Sequence, residues 1–128
     1  MIFDTDFLIA YGKGSKALGK AKARAYVDAL PADEPLLISR VTWMEFAVGY
    51  ETKAEADAES SRFTVVEFDN KLWFPASRIS RDLSRRGLRI GTADCMIAAT
   101  AIAYSQSVVT LNRAHFARII GLRVEALQ

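Results

Sequence analysis

Two carboxylates stand one residue apart at the start of the chain, in "MIFDTDFLIA". Asp4 and Asp6 follow a short apolar run that predicts a buried strand. Three kinds of structure place acids there: the nucleophile and acid of a phosphatase, the ligands of a metal-dependent hydrolase, or a polar turn that caps the next helix. The spacing of this pair alone leaves the three open.

Two more acids follow breaks further along the chain. Glu45 lies in "VTWMEFAVGY", after the second predicted strand, and Asp94 lies in "IGTADCMIAATA", at the start of an apolar helix. Ligands of parallel α/β sheets bind beyond the carboxyl ends of the strands, so we expect both acids to converge with Asp4. Three carboxylates would hold Mg²⁺ or Mn²⁺. Such an ion activates water and offsets charge on a phosphate oxygen.

Each of these acids also has a purely structural interpretation. The Asp4 side chain could cap the following helix, and Glu45 stands three residues after Thr42, as in a capping box. Asp94 in a first turn is favoured by the helix dipole. These interpretations do not explain the apolar neighbours of the acids, because carboxylates are rarely buried unless they are paired or metal-bound.

Short β-rich runs alternate with longer helical patterns along the chain. The predicted strands are "MIF", "PLLIS", "FTVVEF", "SVVTL" and "LRV". The predicted helices are "SKALGKAKARAYVDAL", "VTWMEFAVGY", "NKLWFPASRISRDLSRR" and "ADCMIAATAIAYS", with "TKAEADAESSR" an exposed connection or short helix. Pro75 is tolerated only in a first turn, so its helix should begin at Trp73 or Phe74 and end at Gly87. This alternation predicts an α/β fold with a mostly parallel sheet covered on both faces.

Size and composition narrow the protein class. The 128 residues predict a single domain, 1–128, and 51% hydrophobic with 25% charged residues is ordinary globular composition. No apolar run reaches the roughly 20 residues that cross a bilayer, and nothing at the start predicts export, so no membrane role is expected. Cys95 is the only cysteine, which excludes an internal disulfide and a thiolate zinc site and suits a cytoplasmic location. A net charge of +2 is too mild to indicate nucleic-acid binding by itself.

Four segments resemble the successive motifs of PIN-domain ribonucleases, most closely the VapC-like toxins of bacterial toxin–antitoxin pairs. They are "FDTDFLIAY", "ISRVTWMEFAVGY", "IGTADCMIAATAIAYSQSVVTLNRAHF" and "IIGLRVE". The similarity is collinear and covers nearly the whole chain. It implies a PIN-like three-layer α/β/α fold with four to five short strands. It also implies a Mg²⁺- or Mn²⁺-dependent endoribonuclease with RNA as substrate, a cognate antitoxin as partner, and a homodimer.

The resemblance assigns roles to particular residues. Asp4, Glu45 and Asp94 would be the catalytic acids, with Asp4 and Asp94 as metal ligands and Thr5 as the small polar residue beside the first acid. A metal-bound water would attack the phosphodiester. The family commonly has a fourth acid in a "TxNxxDF"-like segment, whereas this chain reads "TLNRAHF" and has His115 there.

His115 leaves the number of bound metals open, at one or two. A neutral imidazole can ligate Mn²⁺ or bind a water, but it suits Mg²⁺ poorly and removes one negative charge. Asp6 is a candidate replacement for the missing acid, and His115 could equally be an exposed helix residue without a role. By the same resemblance, Thr110 and Asn112 would orient an acid, a water or a phosphate, although both are also common in turns.

A stripe of arginines predicts where RNA would lie. Arg78, Arg81, Arg85 and Arg89 are three or four residues apart, which places them on one face of a helix; Arg86 is adjacent. Beside an acidic metal site the stripe would attract a polyanion. The alternative is a solvated face partly neutralised by Asp82.

A basic segment and a set of aromatic residues have structural rather than functional interpretations. The basic segment at residues 13–24 is expected to serve solubility; it contains Lys13, Lys16, Lys20, Lys22 and Arg24. The aromatic residues Trp43, Phe46, Trp73 and Phe74 are expected in the core. In a toxin of this type, some of them could instead form an apolar groove for an antitoxin helix.

The sequence leaves two other functions open, a phosphatase and a binding-only module. An aspartate-nucleophile phosphatase carries Asp-x-Asp-x-Thr after a strand, but Leu8 occupies the Thr position here. A binding-only PIN-like module would keep the arginine stripe and would have lost catalysis with the acid that His115 replaces.

Overall fold

Five short strands form a single sheet in the computed structural model, which describes residues 1–12 and 17–127. The strands are β1 (Ile2–Phe3), β2 (Leu37–Ser39), β3 (Thr64–Val66), β4 (Val108–Thr110) and β5 (Val124–Ala126). The helices of the described ranges are α1 (Thr5–Tyr11), α2 (Ala17–Asp28), α3 (Arg40–Ala47), α4 (Lys53–Glu59), α5 (Trp73–Arg85), α6 (Thr92–Ala103) and α7 (Arg113–Phe116).

The sheet order is β3-β2-β1-β4-β5, and every pairing is parallel. Phe3 pairs with Ile38 on one side and with Val109 on the other. Because all strands run the same way, their carboxyl ends meet at one edge, with β1 in the centre. The predicted α/β fold is confirmed, and its sheet is wholly parallel.

The alternation of strand side chains builds a core on each face of the sheet. Ile2 and Val108 belong to one apolar cluster, and their neighbours Phe3 and Val109 belong to the other, because successive strand residues point to opposite faces. One cluster takes buried residues from α1 and α2, and the other takes them from α6, which contributes Ile97. The result is the expected three-layer α/β/α arrangement.

The start of α3 differs from the sequence prediction, and the difference changes the interpretation of Thr42. α3 begins at Arg40 because the Ser39 hydroxyl accepts a hydrogen bond from the Val41 backbone N–H. Thr42 is therefore inside the helix and fully buried, so the capping-box interpretation of Thr42 and Glu45 is wrong. α5 begins at Trp73, as expected.

Several other expectations have definite outcomes. "TKAEADAESSR" contains the short helix α4, and Gly87 follows α5 with a φ of 69°. β5 begins at Val124, two residues later than "LRV" predicts. The expectation that Trp73 and Phe74 are core residues is wrong, because their exposed fractions are 57% and 66%. Phe46 is buried, and Trp43 packs partly buried against the core.

The basic segment at residues 13–24 is only partly described. Lys13 and Lys16 lie outside the described residues. The Arg24 guanidinium lies 4.2 Å from the Tyr11 ring centroid, and its Nε donates to the Tyr11 carbonyl. None of the helices in the described ranges is long and apolar enough to cross a membrane.

Candidate acidic metal centre

Asp4 ends the central strand and begins the next helix. Its Oδ1 accepts a hydrogen bond from the Phe7 N–H at 2.9 Å, and its Oδ2 accepts one from the Thr110 hydroxyl at 2.5 Å. The Thr110 oxygen in turn accepts from the Asn112 N–H at 2.8 Å. The carboxylate is therefore the helix cap that the sequence allowed, and it is also held at the carboxyl edge of the sheet.

The environment of Asp4 disfavours its negative charge. Only 2% of the residue is exposed, and burial raises its pKa from 3.8 to about 6. The hydrogen bonds from Thr110 and Phe7 lower the pKa, but the nearby charges of Asp6 and Asp94 raise it further. A buried acid that keeps two hydrogen bonds and still has a high pKa is typical of a functional site.

Glu45 reaches the same edge from α3. Its Oε1 accepts a hydrogen bond from the Thr5 hydroxyl at 2.5 Å, and the Thr5 oxygen lies 3.4 Å from that of Thr42. Thr5 follows Asp4 directly. The first turn of α1 therefore contacts both acids, because Phe7 donates to Asp4 and Thr5 donates to Glu45. Thr42 is the residue that sequence reasoning assigned wrongly; its spacing of three from Glu45 indicated a shared helix face rather than a cap.

Asp94 approaches from the first turn of α6. Its pKa is raised chiefly by burial, with the charges of Asp6 and Glu45 adding to the effect and His115 opposing it. His115 Nδ1 lies 3.4 Å from Asp94 Oδ2. His115 is therefore in contact with one of the acids, and whether it has a role there stays a prediction.

Four carboxylates are close enough to affect one another electrostatically, and we call them the acid cluster: Asp4, Asp6, Glu45 and Asp94. Asp6 is exposed, but its charge acts on both Asp4 and Asp94. In residues 1–12 and 17–127, no group of three or more His, Cys, Asp or Glu side chains is arranged so that it could hold a metal ion as the side chains stand. Like charges repel each other, and a divalent cation would offset that repulsion. The oxygen-rich donors fit a hard cation such as Mg²⁺ or Mn²⁺.

A cavity of about 240 Å³ opens beside the acid cluster, and we call it the apolar cavity. It is lined by Ile9, Glu45, Phe46, Val48, Gly49 and Tyr50. Glu45 belongs to both features, so a molecule seated in the cavity would lie against the Glu45 carboxylate.

Arg78, Arg81 and Arg85 lie on the exposed side of α5, the helix that packs against α6, but the prediction that Arg89 shares this helix is wrong, because α5 ends at Arg85. Asp82 forms an ion pair with Arg86, the arginine adjacent to the stripe, at 2.5 Å. In the part of the chain that the structure describes, Arg81 and Arg85 have no carboxylate partner. The Arg78 guanidinium lies 4.6 Å from the Phe74 ring centroid.

Comparison with known proteins identifies the fold. A profile of the PIN domain matches residues 1–122. The chain belongs to the PIN domain family. Within this family it is similar to Ribonuclease VapC1 of Rickettsia felis, with 34% identity over 97% of this chain and 93% of the relative.

Two solved structures have a similar fold. VapBC2 from Rickettsia felis, bound to a DNA fragment from its promoter, has a TM-score of 0.81 with 24% identity, and the match covers 100% of both chains. At this level of identity the likeness shows that the two proteins share a fold. A toxin–antitoxin complex from Klebsiella pneumoniae has a TM-score of 0.66 with 26% identity, over 98% of this chain and 95% of the other.

Replacing Thr110 with Val tests whether its hydroxyl holds the Asp4 carboxylate. Val has nearly the same shape, but it removes the donor to Asp4 and the acceptor for the Asn112 N–H. We expect a loss of about 2 kcal/mol in the free energy of unfolding at pH 8, because a buried charge loses a hydrogen bond. RNA cleavage should fall about tenfold, the usual effect of removing a residue that orients a metal ligand, which is the role expected of Asp4.

The matched control is Thr110→Ser, which keeps the hydroxyl and should keep most of both properties. Urea unfolding and a cleavage assay measure the two effects. Equal stability and equal cleavage in the Val and Ser variants would show that the hydroxyl does not support Asp4.

Proposed function

We propose that this PIN-domain protein is a metal-dependent endoribonuclease and the toxin of a toxin–antitoxin pair. The observation that carries the proposal is the convergence of Asp4, Glu45 and Asp94 at the carboxyl edge of the sheet, with the pKa values of both aspartates raised. The similarity to Ribonuclease VapC1 supports the ribonuclease activity. The similarity to a toxin–antitoxin complex supports the biological role.

Asp4 and Asp94 would hold Mg²⁺ or Mn²⁺, and Glu45 would complete the site. When bound, the cation activates water and offsets charge on the phosphate. Thr110 keeps Asp4 in place, and Thr5 keeps Glu45 in place by occupying Oε1. Glu45 Oε2 then stays available to accept a proton from the attacking water, which is the role of a general base.

The geometry disfavours the phosphatase alternative. That class needs a Thr two residues after the second Asp, whereas this chain has Leu8 at that position, fully buried in the core. Asp6, which would act as the general acid, is exposed. A binding-only module is disfavoured because the acid cluster has its supporting threonines in place.

The apolar cavity and the acid cluster also support a proposal about the protein partner. We propose that the apolar cavity receives an apolar segment of a cognate antitoxin, and that a basic side chain of that segment lies against the acid cluster. Opposite charge at Glu45 and apolar walls elsewhere suit such a segment. We further propose that the protein forms a homodimer. We also propose a cytoplasmic location, where its RNA substrate is present.

The arginine stripe is proposed to bind RNA phosphates. Changing Arg78, Arg81 and Arg85 together to Gln should weaken RNA binding, because each phosphate contact releases counterions. The slope of log affinity against log salt should fall by about 0.7 for each phosphate that the variant no longer neutralises, as for single strands. Titration with labelled single-stranded RNA at several salt concentrations measures it.

Arg123→Gln is the matched control for that experiment. Arg123 is exposed and precedes β5, so it lies at the opposite edge of the sheet from the acid cluster. The proposal about the stripe fails if the triple variant and the control have the same salt slope.

Calorimetric titration of Mg²⁺ and Mn²⁺ into the free protein at pH 8 tests the metal centre. The wild-type protein should bind either ion, and Asp94→Asn should lose at least about tenfold in affinity. Asp33→Asn is the control, because Asp33 is an exposed residue of the loop before β2. Equal ion affinity in the wild type and in Asp94→Asn would refute the proposed centre.

A further inference from the structure

Trp73 is a large aromatic residue that the fold leaves on the surface and yet holds in place. It is the first residue of α5, and more than half of it is exposed. The ring of Phe68 packs against the indole in an edge-to-face arrangement, with 4.7 Å between the ring centroids. A supported, exposed indole offers flat apolar surface to a ligand and loses little conformational entropy when the ligand binds.

The indole forms one side of a cavity of about 220 Å³ between α5 and the first turns of α6, which we call the indole cavity. Its walls include Trp73, Ser77 and Ser80 from α5, and Thr92, Cys95 and Met96 from α6. The three hydroxyl groups on these walls can each donate and accept a hydrogen bond. The cavity therefore suits a flat ligand with polar atoms along its edge.

The indole cavity lies between an arginine and the acid cluster. On one side, Thr92 and Cys95 flank Asp94 in the first turn of α6. On the other side, Arg78 follows Ser77, and its Nε lies 3.4 Å from the Ser77 hydroxyl oxygen. Within residues 1–12 and 17–127, no carboxylate forms an ion pair with Arg78. A ligand in the cavity would thus have a cation at one end and the proposed cleavage centre at the other.

Single-stranded RNA matches this combination of surfaces. Every base has a flat face that stacks on aromatic side chains and a polar edge that hydrogen-bonds. The phosphate beside the base supplies an anion for a guanidinium group. An apolar protein segment would also cover the indole, but it would supply no anion for Arg78.

We propose that an unpaired base of the RNA substrate stacks on Trp73 in the indole cavity while a neighbouring phosphate binds Arg78. The hydroxyl groups of Ser77, Ser80 and Thr92 then contact the edge of the base. This inference rests on the proposed function and adds to it a base-binding subsite, which favours single-stranded over paired RNA and holds the strand beside Asp94.

Replacing Trp73 with Leu tests the stacking, because Leu keeps an apolar side chain and removes the aromatic face. The variant should bind labelled single-stranded RNA of mixed sequence about tenfold more weakly. The slope of log affinity against log salt should not change, because no phosphate contact is lost. Titrations in EDTA, which stops metal-dependent cleavage, measure both quantities.

Phe74→Leu is the matched control. Phe74 is an exposed neighbour on the same helix, but it does not line the indole cavity, and the Arg78 guanidinium already lies over its ring. This variant should bind the RNA as the wild type does. Circular dichroism checks that both variants are folded.

Tryptophan fluorescence gives an independent signal of stacking, because a base in contact with an indole quenches its emission. The chain has two tryptophans, Trp43 and Trp73, and Trp43 does not line the indole cavity. The single-stranded RNA should quench the emission of the wild type and of Phe74→Leu. It should not quench Trp73→Leu, in which Trp43 is the only tryptophan.

Two results would overturn the inference while leaving the proposed nuclease standing. One is equal RNA affinity in Trp73→Leu and Phe74→Leu. The other is loss of a dimer in Trp73→Leu, measured by sedimentation, with RNA affinity unchanged, which would make this surface an interface between two copies of the chain. A wild-type protein that neither binds nor cleaves RNA would overturn the proposed function and this inference together.

Discussion

Replacing Asp4 with Asn is expected to reduce RNA cleavage about a thousandfold, because a proposed metal ligand loses its charge. The same change should make the metal-free protein more stable at pH 8. Both effects have one cause, which is that Asp4 is an almost fully buried carboxylate among other acids. An ordinary destabilising mutation lowers activity and stability together, so opposite signs would identify a functional residue.

The expected pH dependence follows from the raised pKa of Asp4. The folded protein binds this proton with a pKa of about 6, against 3.8 as the ordinary value. The associated stabilisation is complete below about pH 3.8 and is lost as the pH rises through about 6. At about 1.4 kcal/mol for each pKa unit, the ionised carboxyl costs the fold up to about 3 kcal/mol at pH 8.

Asn removes that cost at pH 8 and keeps the shape of the side chain. Its Oδ1 can still accept from the Phe7 N–H, while its Nδ2 can donate to the Thr110 oxygen. Because the Thr110 hydroxyl must reorient, we expect about 2 kcal/mol of net stabilisation at pH 8. The difference between variant and wild type should shrink toward zero near pH 4.

Urea unfolding in the presence of a chelator, at pH 8 and at pH 4, measures the difference in the free energy of unfolding. Asp33→Asn, the exposed control, should change neither cleavage nor stability appreciably. If Asp4→Asn is less stable than the wild type at pH 8, the burial account of Asp4 is wrong. Undiminished cleavage by this variant would remove Asp4 from the catalytic centre.

Replacing Val48 with Lys is expected to weaken antitoxin binding about a hundredfold, the effect of removing a strong apolar anchor from an interface. Val48 follows α3, lines the apolar cavity and has an exposed fraction of 80%. The change therefore costs the fold little. In the complex, the added ammonium group would repel the basic side chain that we propose lies against Glu45.

The matched control is Ile120→Lys. Ile120 has an exposed fraction of 76% but lines a different cavity, formed with α5, and the substitution adds the same charge. Calorimetric titration with the cognate antitoxin, sought in the adjacent reading frame, measures the affinity. Both variants should keep RNA cleavage in the absence of antitoxin. Equal antitoxin affinity in the two variants would exclude the apolar cavity as the docking site.

Much of the site was predictable because it depends on patterns local to the chain. A strand followed by a carboxylate predicts an acid at the edge of a parallel sheet, and Asp4 is found there. The first-turn position of Asp94 follows from the sequence of α6 alone. The family resemblance then assigned Thr5 and Thr110 to these acids, and the hydrogen bonds Thr5–Glu45 and Thr110–Asp4 agree with such supporting roles.

The remaining features depend on packing between distant segments. Thr42 is a capping residue by its spacing, but the Ser39 hydroxyl starts the helix earlier and leaves Thr42 buried. Trp73 and Phe74 have the residue types of a core, yet α5 leaves them on the surface. The contact between His115 and Asp94 joins two helices, and no local pattern specifies their separation.

The most direct test of the acid cluster is RNA cleavage by the antitoxin-free protein with and without a chelator. We expect no cleavage in EDTA, recovery when Mn²⁺ or Mg²⁺ is added in excess, and no recovery with the Asp94→Asn variant. Cleavage that continues undiminished in EDTA, or that returns in Asp94→Asn to the wild-type rate, would contradict a metal-dependent nuclease centred on these carboxylates.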